Sequence, residues 1–235
     1  MELDGRVAVV TGASSGIGAA TAIALGRHGA IVGLIARRVD RLEAVARDVE
    51  GVGGTAHVVP ADVRDTASLV SAIDDTAERW GRLDILVNNA GYGYWERTAD
   101  ADPEEWRREV DVNLVAPMFA TSAALPRMIA AERGHIVNVS SLGSRGPAAY
   151  GAGYAATKAG LNIFSDSVLV DLNRQGIKVT LVETGEVATE MQSDEDIASM
   201  KMLQAEDVAD AIFYALTRPA HVCIKDIQMF TPKTG

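Results

Sequence analysis

The chain has 235 residues, with 22 Lys or Arg against 32 Asp or Glu and a formal net charge of −10. An acidic surface of that kind disfavours nonspecific attachment to DNA, RNA or anionic lipid. At 48% hydrophobic and 23% charged residues the composition is that of an ordinary soluble globular protein. No apolar run approaches the roughly 18 uncharged residues of a bilayer span, and Glu2 and Asp4 stand where a signal peptide carries basic residues, so a cytoplasmic protein is expected. Cys223 is the single cysteine, and His28, His57, His135 and His221 share no ligand spacing; neither a disulfide nor a metal site is expected.

Short β-branched runs alternate with longer helical periods along the chain. In order, the pattern predicts a strand at Val7 to Val10, a helix at Ile17 to His28, a strand at Ile31 to Ile35 and a helix at Asp40 to Glu50. A strand at Ala56 to Val59, a helix at Thr66 to Trp80 and a strand at Ile85 to Val87 follow. The second half reads as a helix at Pro103 to Ala131, a strand at His135 to Val139, a helix at Gly153 to Arg174, a strand at Lys178 to Val182, a helix at Ala205 to Thr217 and a strand at Ile227 to Phe230. Runs such as VAVV and IVGLI are apolar without alternation, the habit of strands covered on both faces. The fold class is therefore α/β: a doubly wound Rossmann arrangement, a seven-stranded parallel sheet with helices on both faces, in a single domain over residues 1–235. Gly29 is placed to end the first helix, and Asp102 with Pro103 to start the fourth.

The first strand runs directly into Thr11-Gly12-Ala13-Ser14-Ser15-Gly16-Ile17-Gly18, and a helical pattern begins at once. Glycines let a backbone come close to a pyrophosphate, and a helix start presents unpaired N–H groups to it; helix-on-sheet packing selects such glycines as well. The spacing TGxxxGxG, between a strand and a helix, resembles the fingerprint of the short-chain dehydrogenases/reductases. Nineteen residues beyond Gly18, where an acidic residue would hold a free 2′-hydroxyl, the chain has Ala36-Arg37-Arg38. Two arginines could simply open a helix in solvent, but at this position guanidinium groups match a 2′-phosphate, so NADP(H) is the expected cofactor. The resemblance further implies that Asp62 and the Val63 backbone hold the adenine and that Asn89, Ala90 and Gly91 line the ribose.

Tyr154-Ala155-Ala156-Thr157-Lys158 places a phenol and an ammonium four residues apart on one helix face. A cation beside the phenol favours the phenolate. Ser141 lies thirteen residues before Tyr154, after a strand, and Asn113 sits in Asp111-Val112-Asn113-Leu114. In the resemblance these four residues are the catalytic tetrad: Tyr154 the acid-base, Ser141 a hydrogen-bond donor to the substrate oxygen, Lys158 lowering the Tyr154 pKa and binding the nicotinamide ribose, and Asn113 holding a water that connects Lys158 to solvent. The neighbouring Ser140 is assigned a structural role. The implied activity is hydride transfer between the nicotinamide and a small-molecule carbonyl or alcohol; the other reading kept open is a catalytically silent dinucleotide sensor.

After the sixth strand the family usually has Pro-Gly, and here the chain reads Glu183-Thr184-Gly185-Glu186-Val187-Ala188-Thr189. Thr184 in place of proline is expected to loosen that turn, while Gly185, Val187 and Thr189 match cofactor-contacting positions. The C-terminal stretch resembles the branch that contains NADP-dependent 3-hydroxy acid and serine dehydrogenases and clavulanic acid dehydrogenase. A short substrate lid is expected over residues 190–202, with Glu190, Asp194, Glu195 and Asp196. Tyr92, Tyr94, Trp95, Leu142, Arg145, Tyr150 and Glu186 are the side chains expected around the substrate. Arg145 fits either a substrate carboxylate or a solvated loop position. Alanines 155, 156 and 159 leave room for close helix approach between subunits or for core packing, and the family habit favours a homodimer or homotetramer.

Overall fold

The computed structural model describes residues 2–192, 195, 197 and 202–232. Its sheet has seven parallel strands in the order β3-β2-β1-β4-β5-β6-β7. They are β1 (Val7–Thr11), β2 (Ile31–Ala36), β3 (Thr55–Pro60), β4 (Ile85–Asn88), β5 (Gly134–Ser141), β6 (Ile177–Thr184) and β7 (Asp226–Met229). The helices are α1 (Gly16–Arg27), α2 (Val39–Gly51), α3 (Thr66–Trp80), α4 (Pro103–Val110), α5 (Ala116–Ala130), α6 (Ala152–Leu172) and α7 (Ala205–Leu216). Every strand and helix expected from periodicity is present, within two residues at nearly every end.

The central strand shows why its sequence is apolar throughout. Ala8 and Val10 pack on one face with Leu25 of α1, Leu42 and Val45 of α2, and Ile212 of α7. Val7 and Val9 pack on the other with Leu69 and Ile73 of α3 and Ala120 and Met128 of α5. Both sets are fully buried, so alternation has no solvent side on which to appear. Asp102 caps α4 by accepting from the Glu104 N–H at 2.9 Å, with Pro103 in its first turn, and Gly29 turns the chain after α1 with a φ of 90°.

Two features depart from expectation. The predicted helix over Pro103 to Ala131 is interrupted by a π-turn, Asp111–Val115. One window within the helical run 103–130 is long and apolar enough to cross a bilayer by composition, although charged residues flank its uncharged part, 112–126. Its residues Ala116, Ala120, Ala124 and Met128 are buried against the sheet, which accounts for the hydropathy within a globular fold. Thr184, expected to loosen a turn, instead ends β6 as a buried strand residue in register with Ser141 and Met229. A proline there would lack the N–H that a strand residue carries; threonine lets the strand run to its end.

His135 is buried beside Thr180, 2.8 Å from its hydroxyl, and burial pushes its imidazole down to about 3 from 6.5. The folded protein therefore keeps His135 neutral while an unfolded chain takes up a proton, so this group's contribution to stability is complete above pH 6.5 and is lost as pH falls toward 3. Urea unfolding at stepped pH should show His135→Asn losing less stability than the parent over that window; parallel pH profiles would refute the assignment.

Candidate active site

The strand order reverses direction between β1 and β4, and in open parallel sheets ligands bind at that point, beyond the carboxyl ends of the strands. Thr11 organises it: its hydroxyl oxygen accepts from the Asn89 N–H at 3.0 Å and the Ala90 N–H at 3.1 Å. The Asn89 amide donates to the Thr11 carbonyl at 3.0 Å. The glycine loop is thereby packed onto the segment after β4. A Cβ at Gly12 would stand 2.8 Å from the Ala90 Cα, and one at Gly18 would collide with the Gly12 carbonyl. Gly16 has a φ of 53°, and a Cβ there would lie 3.0 Å from the Thr189 methyl. Ser15 precedes α1 with no side-chain cap bond, so the first N–H groups of the helix receive no capping oxygen from it.

At the end of β2 the Arg38 guanidinium donates to Ser14 Oγ at 3.0 Å and to Ser15 Oγ at 2.8 Å. Its Nη1 reaches Glu190 at 2.8 Å. Arg37, beside it, is exposed. Asp62 is engaged by Arg64 at 2.6 Å, and that guanidinium holds its carboxyl below the usual range; Val63 is buried among the residues that cover the sheet at α3.

The tetrad residues converge at the carboxyl end of β5. Ser141 ends that strand, where its hydroxyl accepts from the Gly143 N–H at 3.1 Å and lies near enough to the Tyr154 phenol to favour its charged form. Lys158, one turn further along α6, is buried, donates to the Val139 carbonyl at 2.9 Å, and lies 5.7 Å from the centre of the Tyr154 ring. Burial lowers its ammonium from 10.5 to about 8. Tyr154 is also buried, and its phenol is held above its ordinary value by that burial, with Ser141 opposing the shift and the Glu109 charge adding to it. Lys158 is not among the groups that lower it, which corrects the expected direction: desolvation outweighs the cation.

Asn113 occupies the π-turn, a common place for functional residues. Its amide donates to the Tyr92 carbonyl at 2.7 Å and to Thr157 at 3.1 Å, while its oxygen accepts from the Tyr92 N–H at 2.8 Å. It therefore fixes the segment after β4 to α6. Ser140 is buried and donates to Asn162 at 2.6 Å.

The residues named for the substrate pocket divide. Trp95 lies across Tyr154, ring centres 5.2 Å apart, and packs on Gly151, where a Cβ would collide with it. The Tyr94 N–H donates to Glu109 at 2.8 Å, and Tyr92 donates from its hydroxyl to Glu105 at 2.5 Å. Tyr150 has a φ of 62°, is exposed, and accepts the Glu96 N–H through its carbonyl at 2.8 Å. Arg145 keeps half of its side chain in solvent, as the loop reading expected, but its guanidinium forks onto the fully buried Glu183, at 2.9 Å and 2.5 Å. Glu186 is exposed, and Asp194 and Asp196 of the expected lid lie outside the described residues.

Sequence reading missed the partners of three carboxylates here. Glu183 gathers Arg145, Asn162 at 2.8 Å and Ser144 at 3.1 Å under the loop that follows Ser141. Glu109 is fully buried with one oxygen unpartnered, and burial raises its carboxyl above the usual range. An acidic residue within an apolar strand, for Glu183, or at a buried helical phase, for Glu109, was the only signal. The pairing of Glu190, expected only as part of the lid, with Arg41 at 3.6 Å had none.

A family model described as short chain dehydrogenase matches residues 6–199. An uncharacterized oxidoreductase of Staphylococcus haemolyticus is 38% identical over 226 residues, 96% of this chain and 97% of that protein. The crystal structure of a metagenomic short-chain oxidoreductase in complex with NADP superposes with a TM-score of 0.87 at 37% identity, covering 97% of each chain. The closed form of a serine dehydrogenase complexed with NADP+ gives 0.89 at 31% identity over 98% of each.

The buried Lys158 leaves a stability signature. An unfolded lysine keeps its proton to about 10.5 and the folded one releases it near 8, so this group's penalty is complete below pH 8 and is relieved as pH rises to 10.5. Denaturant titrations across that interval should show stability rising with pH more steeply in the parent than in Lys158→Met. Equal slopes would mean that Lys158 is not the buried cation.

Proposed function

Because the chain belongs to the short-chain dehydrogenase family, we propose that it is an NADP(H)-dependent oxidoreductase moving a hydride between the nicotinamide and a small-molecule carbonyl or the matching alcohol. The observation that carries this reading is the convergence of Ser141, Tyr154 and the buried Lys158, whose ammonium lies 5.7 Å from the phenol ring centre, beside the glycine loop at the strand-reversal point. The surrounding residues fit the cofactor. Arg38 with Ser14 and Ser15 would take the 2′-phosphate, and the uncapped start of α1 at Gly16, Ile17 and Gly18 the pyrophosphate. Gly12, Arg37, Asp62, Val63, Asn89, Ala90, Gly91, Gly185, Val187 and Thr189 would line the remainder. Structural neighbours described with NADP or NADP+ bound support the phosphorylated form.

When bound, the cofactor supplies or accepts the hydride. Tyr154 gives a proton to the substrate oxygen in reduction and removes it in oxidation, and Ser141 donates a hydrogen bond to the same oxygen as its charge grows. Approach of the substrate displaces Trp95 from the phenol and brings a polar atom to Tyr154. Lys158, with its ammonium already beneath that ring, then favours the phenolate. Asn113 holds Tyr92 and Thr157 in place around this group, and a water joining Lys158 to solvent would complete proton supply. Residues 190–202 are read as the short cover of the substrate pocket within one domain. The aromatic segment Tyr92 to Trp95 favours an apolar substrate body. Exposed Met118 and Phe119 on α5, and Ile163 and Val170 on α6, support a homodimer or homotetramer. A silent sensor has no observation in its favour, since none of the four tetrad residues is altered.

Following NADPH and NADH oxidation against a panel of aldehydes, ketones and keto acids tests the reading. NADPH should be preferred, and Tyr154→Phe should cut turnover at least about 100-fold while leaving NADPH binding intact. Undiminished turnover in Tyr154→Phe would sink the mechanism.

A further inference from the structure

Glu190 is an anion placed among groups suited to an anion. Its Oε2 accepts from Arg38 Nη1 at 2.8 Å and from Ser15 Oγ at 3.1 Å, and its Oε1 lies 3.6 Å from Arg41 Nη1. Arg38 also holds the hydroxyls of Ser14 and Ser15. Two guanidinium groups and a hydroxyl thus converge on one carboxylate that arrives from beyond β6, 152 residues from Arg38 in sequence. Arg38 and Ser15 are the groups assigned above to the 2′-phosphate. A phosphate dianion and a carboxylate cannot share them: both need the same donors, and the two negative charges repel.

We propose that the Glu190 carboxylate is an internal stand-in for the cofactor's 2′-phosphate, which must displace it from Arg38, Arg41 and Ser15 in order to bind. The inference rests on the NADP(H) reading and adds to it a residue that sets cofactor affinity and discrimination. Displacement exacts a conformational cost from ligands carrying the 2′-phosphate, since the competent site is only a fraction of the unliganded population. A dinucleotide without that phosphate leaves the Glu190 contacts in place and is spared the cost. Glu190 therefore moderates the preference that Arg38 creates. It also positions Arg41, which the release of Glu190 makes available as a second guanidinium for the phosphate.

The geometry around Glu190 gives its release a further consequence. Thr189, the preceding residue, packs at Gly16 on the start of α1, and Met191, the following one, lies 3.7 Å from the position of a Cβ on Gly91. The same short segment thus touches the phosphate end and the ribose end of the cleft, and phosphate binding at one end frees the chain that lies over the other.

Direct binding of NADPH, NADH, 2′,5′-ADP and 5′-AMP, followed by calorimetry on the full chain, tests this without turnover. The contacts are half exposed, so their net worth is small, and Glu190→Gln should tighten NADPH and 2′,5′-ADP by roughly two- to five-fold. NADH and 5′-AMP should change by less than that, and the gain should vanish in an Arg38→Ala background. Unchanged or weakened NADPH binding in Glu190→Gln would overturn the proposal, as would equal tightening of NADPH and NADH. Arg38→Ala alone separates the two levels. If it lowers NADPH affinity and spares NADH while Glu190→Gln does nothing, only the Glu190 role fails; if the parent does not favour NADPH and Arg38→Ala is silent, the cofactor reading fails and takes the stand-in with it.

Discussion

The Thr11 hydroxyl joins the two halves of the cleft where the sheet changes direction. Strands β1 and β4 pair only as far as Val10 and Val87, and beyond that point their chains separate. Two N–H groups of the departing segment, on Asn89 and Ala90, close onto this one oxygen. Without it they would lose partners in a half-buried place, at a cost of about 1–3 kcal/mol each. The glycine loop then has to lie flat against the same segment, which explains Gly12 and Gly18 in a way the phosphate argument does not. Their missing side chains are required first by the protein's own backbone, and the smooth surface left for a ligand follows from that packing.

A second constraint is the dryness of the catalytic corner. Asn113, Tyr154 and Lys158 are all buried, with Glu109 and Glu183 buried close by. Burial opposes every charge there, which is why the phenol is raised and the ammonium lowered at the same time. Burial there weakens the charged form of each group unless a polar partner offsets it. Glu183 is the exception, since Arg145 forks onto it and Asn162 and Ser144 supply further donors. That cluster lies directly under the loop after Ser141 and fixes the serine from below, so that removing one partner would strand a charge in the interior.

How much of this was legible in the chain follows from the range of the interactions. Strands and helices were readable because their cause is local: VAVV is buried on both faces, and Asp102-Pro103 caps its own helix. The tetrad and the glycine loop were readable because Tyr154 and Lys158 share one helix face, the glycines follow one strand directly, and the order of all these segments matches a known pattern. Glu183 with Arg145 is 38 residues apart and Glu190 with Arg38 is 152, and no periodicity marks such pairs. Arg145 shows the consequence. Considered singly it could serve a ligand or solvent, whereas the fold supplies a third partner that only the β5–β6 pairing brings within reach. The π-turn was hidden for a different reason, because one added residue does not disturb a helical pattern read over nearly thirty residues.

That added residue also sets the phase of everything after it. Each residue of an α-helix turns the chain by about 100°, so the extra one at Asp111–Val115 offsets the stripe of α5 from that of α4. On α4 the stripe brings Glu109 toward the cleft, while on α5 Ala120, Ala124 and Met128 meet the sheet and Phe119 turns outward. One continuous helical rod thus serves two clients at once, the catalytic corner and the hydrophobic layer. Its outer surface can drift in sequence without moving Asn113, but its length between Asn113 and Ala120 cannot change by a single residue without turning one client away.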